Sequence, residues 1–116
     1  MCSGNWIKNM DLIKYDIYIT ESVQKDLESI YFYISEELSE NKSAINTISE
    51  IKEKIFSLDT MPSRYSLVND YSLAKTGYRH VKVKNYIILY LIDENKKTVI
   101  IARIIHERMN YAKYIL

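Results

Sequence analysis

The apolar residues of the chain change their spacing after Thr20, and this change predicts where a strand is followed by a helix. Tyr15, Ile17 and Ile19 recur at a period of two, which is typical of a half-buried strand. Thr20 carries a side-chain oxygen of the kind that caps a helix N-terminus. The next apolar positions are three or four residues apart and share one helix face: Val23, Leu27, Ile30, Ile34 and Leu38.

A second series with the same spacing follows a short polar break at residues 39–43. Its members are Ala44, Ile48, Ile51, Ile55 and Leu58. Two amphipathic helices joined by a connection of four or five residues predict an antiparallel helical hairpin. Pro62 ends the helical region because its nitrogen has no hydrogen to donate to a continuing helix.

The second half of the chain is predicted to form a long loop and then three strands. The loop runs from Ser63 to Gly77, about 15 residues, which is long for a compact domain and indicates a functional loop or one folded over the surface. Three segments rich in Tyr, Ile and Val follow, separated by a tight Lys84-Asn85 junction and by the polar residues 94–97: Tyr78–Val83, Asn85–Asp93 and Thr98–His106. They predict a three-stranded antiparallel meander.

These elements together predict an α+β fold. Its parts are an N-terminal strand, an antiparallel helical hairpin and the meander, with the strands in one sheet and residues 107–116 as a short C-terminal helix or tail. Residues 1–12 are interpreted as an N-terminal extension and residues 13–116 as a single domain. Two helices can cover only one face of the sheet, so we expect the opposite face to be covered by another element or to bind a partner, and we expect function on that face.

Composition excludes several classes of site. Two glycines and one proline cannot form the Gly-rich phosphate loops of nucleotide enzymes, so no nucleotide cofactor is expected. One cysteine and two histidines give no disulfide framework and no thiolate zinc site, so no metal is expected either. The longest run without a charge is eight residues, far below the roughly 20 of a membrane span. With no signal peptide recognisable, we expect a cytoplasmic protein that does not engage a membrane.

Charge is distributed unevenly although the net charge is only +1. Residues 1–60 hold 6 Lys and Arg against 11 Asp and Glu, whereas residues 61–116 hold 10 against 4. Such an asymmetry indicates a basic surface that attracts a phosphate chain or an acidic protein. An ordinary solvated charged face is the alternative.

From Lys14 to Tyr111 the sequence resembles the RelE/ParE superfamily, the toxins of bacterial type II toxin-antitoxin modules. No single marker is diagnostic, but their order and spacing are fairly specific. The markers are ITESVQKDL at 19–27, IYFYI at 30–34, SLDTMPSRY at 57–65, GYR at 77–79, NYIILYLID at 85–93 and RIIHER at 103–108.

This resemblance implies a sheet packed on a helical hairpin and a cognate antitoxin that wraps the toxin. It also implies one of two activities. RelE-like members enter the ribosome and cut mRNA, whereas ParE-like members inhibit DNA gyrase and are not nucleases. The fold does not choose between these targets, so the chemistry of individual residues must do so.

Metal-free RNA cleavage requires a base, an acid and a cation beside the phosphate. His106, near a strand end, is the candidate acid or base because histidine ordinarily titrates near neutral pH. Arg79, which matches the arginine after Gly-x in the family pattern, and Arg103 are the candidate catalytic cations. The candidate RNA- or target-binding residues are Lys82, Lys84, Arg108 and Tyr111. Structural roles are the alternative for each: ion pairs for the arginines, a cap for His106, solvation for the lysines and packing for Tyr111.

One position departs from the nuclease pattern. RelE-like nucleases carry an arginine directly after the tyrosine that begins the central strand, and this chain has Ile87 there. Isoleucine cannot neutralise a phosphorane, which favours the ParE-like alternative. The first prediction is nonetheless a growth-inhibiting toxin that cleaves mRNA on the ribosome. Gyrase inhibition without nuclease activity, or a degenerate member that binds only its antitoxin, remain the alternatives.

Overall fold

The computed structural model describes residues 14–108. Three predicted features therefore lie wholly or largely outside the described residues: the N-terminal extension, the C-terminal helix or tail at residues 107–116, and the candidate Tyr111. The described elements, in chain order, are strand β1 Asp16–Ile19, helix α1 Glu21–Phe32, helix α2 Asn41–Ser57, helix α3 Tyr71–Thr76, and strands β2 Arg79–Val83, β3 Tyr86–Asp93 and β4 Thr98–His106.

The first strand and the helical hairpin confirm the prediction from hydrophobic spacing. Thr20 caps α1 as expected: its hydroxyl accepts from the Val23 N–H at 3.3 Å and donates to the Ile101 carbonyl at 2.9 Å. The second bond also joins the start of α1 to β4. A single π-helical turn, Tyr33–Glu37, follows α1 and was not predicted.

All four strands form one sheet in the order β1-β4-β3-β2, so the predicted meander is confirmed. β1 runs parallel to β4, and the other neighbours are antiparallel. The Lys84-Asn85 junction is the predicted tight turn, with Lys84 at a φ of 54° in the left-handed region. An irregularity between Leu89 and Tyr90 on β3 shifts the register with β4 next to Arg103.

The two faces of the sheet pack against different elements. The helical hairpin covers one face, where Val81, Ile88 and Ile101 pack with Val23 and Ile51 in the main core. On the other face, Leu89 and Ile105 pack with Val68 and Leu73 in a smaller cluster. That cluster covers the β3 side of this face.

The loop predicted at 63–77 is wrong in part, because residues 62–64 form a 3₁₀ turn and Tyr71–Thr76 form α3. Asp70 caps α3 by accepting from the Leu73 N–H at 3.0 Å. Gly77 ends the helix at a φ of 106°, a conformation that glycine adopts without the steric cost of a Cβ atom. This folded segment covers part of the face opposite the hairpin, which is one of the two outcomes expected for that face, and it leaves less of the face open to a partner.

Within residues 14–108, no helix is both long and apolar enough to cross a membrane.

Candidate functional site

A groove of about 800 Å³ lies where β4 ends against the helical hairpin, and it collects several of the predicted site residues. We call it the β4-end groove. The C-terminal half of α1 and the following π-helical turn form its apolar wall with Ile30, Tyr33, Ile34 and Leu38. Its polar and basic residues include Asp26, Lys84, Arg103, His106 and Arg108. The groove therefore lies at one end of the sheet on the hairpin side, whereas the sequence led us to expect function on the opposite face.

Arg103 is held at the groove by Asp26 of α1. Its Nε donates to Asp26 Oδ2 at 2.8 Å and its Nη2 donates to Oδ1 at 2.9 Å, a two-point contact that suits the planar guanidinium. Asp26 Oδ2 also accepts from the Ile104 N–H at 2.9 Å. β1 has already ended at this level, so the carboxylate fulfils the role that a neighbouring strand would have for this N–H.

His106, the last residue of β4, packs its ring edge against Tyr86 at 5.5 Å between ring centres. Its Nδ1 accepts from the backbone N–H of Arg108 at 3.1 Å, which fixes the turn after β4. Burial raises the pKa of the neighbouring Tyr86, with a smaller contribution from Tyr33, so this phenol stays neutral in the ordinary pH range.

Of the two candidate lysines, Lys82 is on β2 and Lys84 directly follows it, and each contacts a glutamate. Lys84 Nζ is 3.2 Å from Glu50 Oε2 on α2 and 3.4 Å from Thr47 Oγ1. Lys82 Nζ is 2.7 Å from Glu107 Oε1, and this hydrogen bond lowers the pKa of the Glu107 carboxyl. Lys84 lines the β4-end groove and Lys82 does not.

Arg79 begins β2 and does not line the groove. As the alternation predicts, its neighbours at positions 81 and 83 belong to the main core. Its Nη1 donates to the Tyr65 carbonyl at 2.6 Å and to the Ser63 carbonyl at 3.3 Å, which ties β2 to the segment after α2. Arg79 pairs with Tyr90 of β3, and His106 pairs with Tyr86 of the same strand. Because the two residues are four positions apart along β3 and on strands either side of it, their Cα atoms are about 16 Å apart.

The predicted residues therefore divide into two groups. Lys84, Arg103, His106 and Arg108 meet at the β4-end groove, whereas Arg79 and Lys82 do not line it. Sequence reasoning missed Asp26, Tyr33 and Tyr86 as parts of the site. Asp26 gives no signal in the sequence because its role depends on β4, about 77 residues away along the chain.

The basic half of the sequence meets the acidic half at this groove. Arg103 and Lys84 come from the basic half, and their partners Asp26 and Glu50 come from the acidic half. Two basic residues of the second half are thus paired with carboxylates of the first half. Among residues 14–108, no group of three or more His, Cys, Asp or Glu side chains is placed to hold a metal ion.

Comparison with known proteins gives a consistent result. The model of the ParE toxin of type II toxin-antitoxin systems matches residues 17–111. No curated protein sequence matches the chain.

Two solved structures share the fold. One is a chain of the RelBE2 toxin-antitoxin complex from Mycobacterium tuberculosis, with a TM-score of 0.60 and 22% identity over 82% of this chain and 93% of that one. The other belongs to the chromosomal ParDE toxin-antitoxin system of P. aeruginosa, with a TM-score of 0.67 and 16% identity over 80% of this chain and 96% of that one. Because the family model spans most of the sequence, and both the sheet and its helical hairpin agree with it, the chain belongs to the ParE toxin family of type II toxin-antitoxin systems.

Proposed function

We propose that this chain is a growth-inhibiting toxin that acts by binding DNA gyrase and that a cognate antitoxin neutralises it. Sequence reasoning put mRNA cleavage first and gyrase inhibition second. The described geometry favours the second, and the observation that carries this choice is the engagement of the candidate cations by the protein itself.

Four of the six described candidate residues have a protein partner for their charge: Arg79, Lys82, Lys84 and Arg103. A nuclease needs cations directed at the reacting phosphate, where negative charge grows in the transition state. Arg103 would have to release the Asp26 carboxylate to do so. Such a release leaves a partly buried carboxylate without its counter-charge, which is costly.

The separation of Arg79 from His106 supports the same choice. An acid or base and its charge-stabilising partner must both reach one phosphate, and about 16 Å between their Cα atoms is too far for side chains that are already anchored. Ile87, at the position where the nuclease pattern has an arginine, packs against the smaller cluster with Leu89 and Ile105. An arginine at position 87 would have to extend out of this apolar cluster to reach a phosphate.

A DNA supercoiling assay with purified gyrase and the purified full-length chain tests the target. We expect loss of supercoiling activity as the toxin concentration rises, and restoration when the antitoxin is added. The matched measurement is primer extension on a reporter mRNA after induction, where we expect unchanged transcript ends during growth arrest. New ribosome-dependent ends with unaffected gyrase would establish mRNA cleavage instead, and normal growth after induction would indicate a degenerate member.

We propose the apolar wall of the β4-end groove as part of the antitoxin-binding surface. Tyr33 and Leu38 are each about half exposed there, beside the basic residues Lys84 and Arg108. A segment with both apolar and acidic residues would match this surface. The two similar structures belong to toxin-antitoxin systems, which supports an antitoxin partner.

Adjacent aromatic residues provide the matched pair for a binding test. Tyr33 lines the β4-end groove and is 51% exposed, whereas its neighbour Phe32 does not line it and is 65% exposed. We expect Tyr33→Ala to weaken antitoxin binding at least tenfold in calorimetry and Phe32→Ala to leave it within twofold. Equal effects of the two substitutions would show that the antitoxin does not use this wall.

A further inference from the structure

A second groove lies between α1 and α2, and it shares no lining residue with the β4-end groove. It has a volume of about 660 Å³, and seven of its ten lining residues are apolar or aromatic. We call it the hairpin groove, and its main walls are Leu27, Tyr31, Phe32, Ile48, Ile55 and Phe56. Nothing in the proposed function uses it.

Two phenylalanines leave much of their surface in water at this groove. Phe32 is 65% exposed and Phe56 is 54% exposed. Contiguous apolar surface of this kind is unfavourable in a small monomeric domain and marks a place where another segment or protein packs. We therefore expect another segment or protein to pack in this groove.

The chain itself has a segment that begins near the groove. Lys14, the first described residue, pairs with Thr60, and its Nζ is 3.7 Å from Asp59 Oδ2. The Tyr15 N–H donates to the Asp59 carbonyl at 2.8 Å. Asp59 follows Phe56 by three residues, so the segment before Lys14 starts within about one helical turn of the groove.

The preceding segment has a suitable length and composition. Thirteen residues span up to about 43 Å when extended. The eight residue steps from Ile48 to Phe56 cover only about 12 Å of α2. The segment contains Trp6, Met10 and Ile13 at spacings of four and three residues. It also lies outside the family match, which begins at residue 17.

We propose that residues 1–13 fold back over the hairpin groove and seat the Trp6 indole against its apolar wall. Covalent attachment gives the segment an effective concentration in the millimolar range, which favours it over a second copy of the chain. A protein partner that approaches α1 and α2 from this side must then displace the segment.

Trp6 is the only tryptophan in the chain, so its fluorescence reports the proposal directly. In the purified full-length protein, we expect blue-shifted emission relative to free tryptophan and protection from acrylamide quenching, both independent of protein concentration. The substitution Phe56→Glu, at a wall residue of the groove, should shift the emission to the red and raise the quenching constant severalfold. Phe32→Glu should do the same and serves if the first variant does not fold by circular dichroism.

Ile45 provides the matched control, because it lies on the same helix as Phe56, is 56% exposed and does not line the groove. Ile45→Glu should retain the wild-type emission and quenching. Solvent-like emission in the wild-type protein, or equal quenching in Phe32→Glu and Ile45→Glu, would overturn the proposal. Emission that shifts to the red on dilution would show that a second copy of the chain occupies the groove, and this result would also overturn the proposal.

Discussion

The two strands beside β3 each hold an arginine, and the two arginines are anchored in different ways. Arg79 on β2 donates to the Ser63 and Tyr65 carbonyls, beside Tyr90, whose hydroxyl donates to the Pro62 carbonyl at 2.6 Å. Arg103 on β4 binds the Asp26 carboxylate in the β4-end groove. Arg79 is thus tied to backbone and Arg103 to a charged side chain.

This difference shows why residue type alone did not assign a role. Both arginines match what a phosphate-binding site requires, yet one fixes the segment after α2 and the other fixes α1 to β4. The Arg79 guanidinium is engaged by backbone carbonyls, whereas the β4-end groove retains His106 and Arg108 along its wall. Partner binding is therefore expected at the groove, and substitutions at the two arginine anchors compare what each contributes to stability.

The largest effect is expected for Asp26→Ala. Arg103 loses two hydrogen bonds to a carboxylate, and the Ile104 N–H loses its acceptor. We expect the free energy of unfolding to fall by about 3 kcal/mol, as for other pairs removed from a largely buried position. Urea unfolding measures this, with the exposed Glu28→Ala on the same helix as control. A loss below about 1 kcal/mol would place this pair among ordinary surface ion pairs.

Tyr90, which pairs with Arg79 between β2 and β3, predicts a dependence of stability on alkaline pH. Burial raises the pKa of Tyr90 to about 12 from its ordinary value of 10.0. The contribution of Tyr90 is complete below about pH 10, where both states are protonated, and it is lost as the pH rises towards 12. The wild type should lose about 2–3 kcal/mol more than Tyr90→Phe over this range.

The control for this titration is Tyr71→Phe, since Tyr71 is 77% exposed. Denaturant unfolding should give the same alkaline loss for this variant as for the wild type. Parallel pH profiles for wild type and Tyr90→Phe would contradict the role assigned to the buried phenol.

Arg79→Ala should lower the free energy of unfolding by about 1.5 kcal/mol, because the Ser63 and Tyr65 carbonyls lose a charged donor. Lys82→Ala on the same strand is the control and should stay within about 0.5 kcal/mol, since its ion pair with Glu107 is at the surface. Thermal unfolding compares the two. Equal losses would mean that the carbonyl contacts add little to the fold.

The smallest effect is expected for His106→Gln. Its amide can accept a hydrogen bond from the Arg108 N–H as the imidazole does, but it cannot transfer a proton. If the toxin acts by binding, growth inhibition should stay within severalfold of the wild type in an induction assay. A loss of a hundredfold or more, the size typical of general acid-base catalysis, would restore mRNA cleavage as the activity.

The long periodic segments were predictable, and the short irregular ones were not. Hydrophobic spacing located β1, the hairpin and the meander to within a few residues, because each has several apolar positions in a row at one period. α3 has only six residues and one buried side chain, Leu73. Its signals were the Asp70 cap and Gly77, which are equally common in loops. The π-helical turn after α1 has no comparable signature.

By itself, the sequence determined the order of the long elements, since these follow from local periodicity, and it determined the resemblance to the family, which follows from markers at fixed spacing. The placement of β1 parallel to β4 came from the structure. Only the tertiary structure decided which candidate residues share a site. Arg103 and Asp26 meet because β4 crosses α1, and Arg79 is held elsewhere because the segment after α2 folds over β2. Side-chain partners far apart in the chain depend on packing, and packing has no counterpart in the spacing of residues along a sequence.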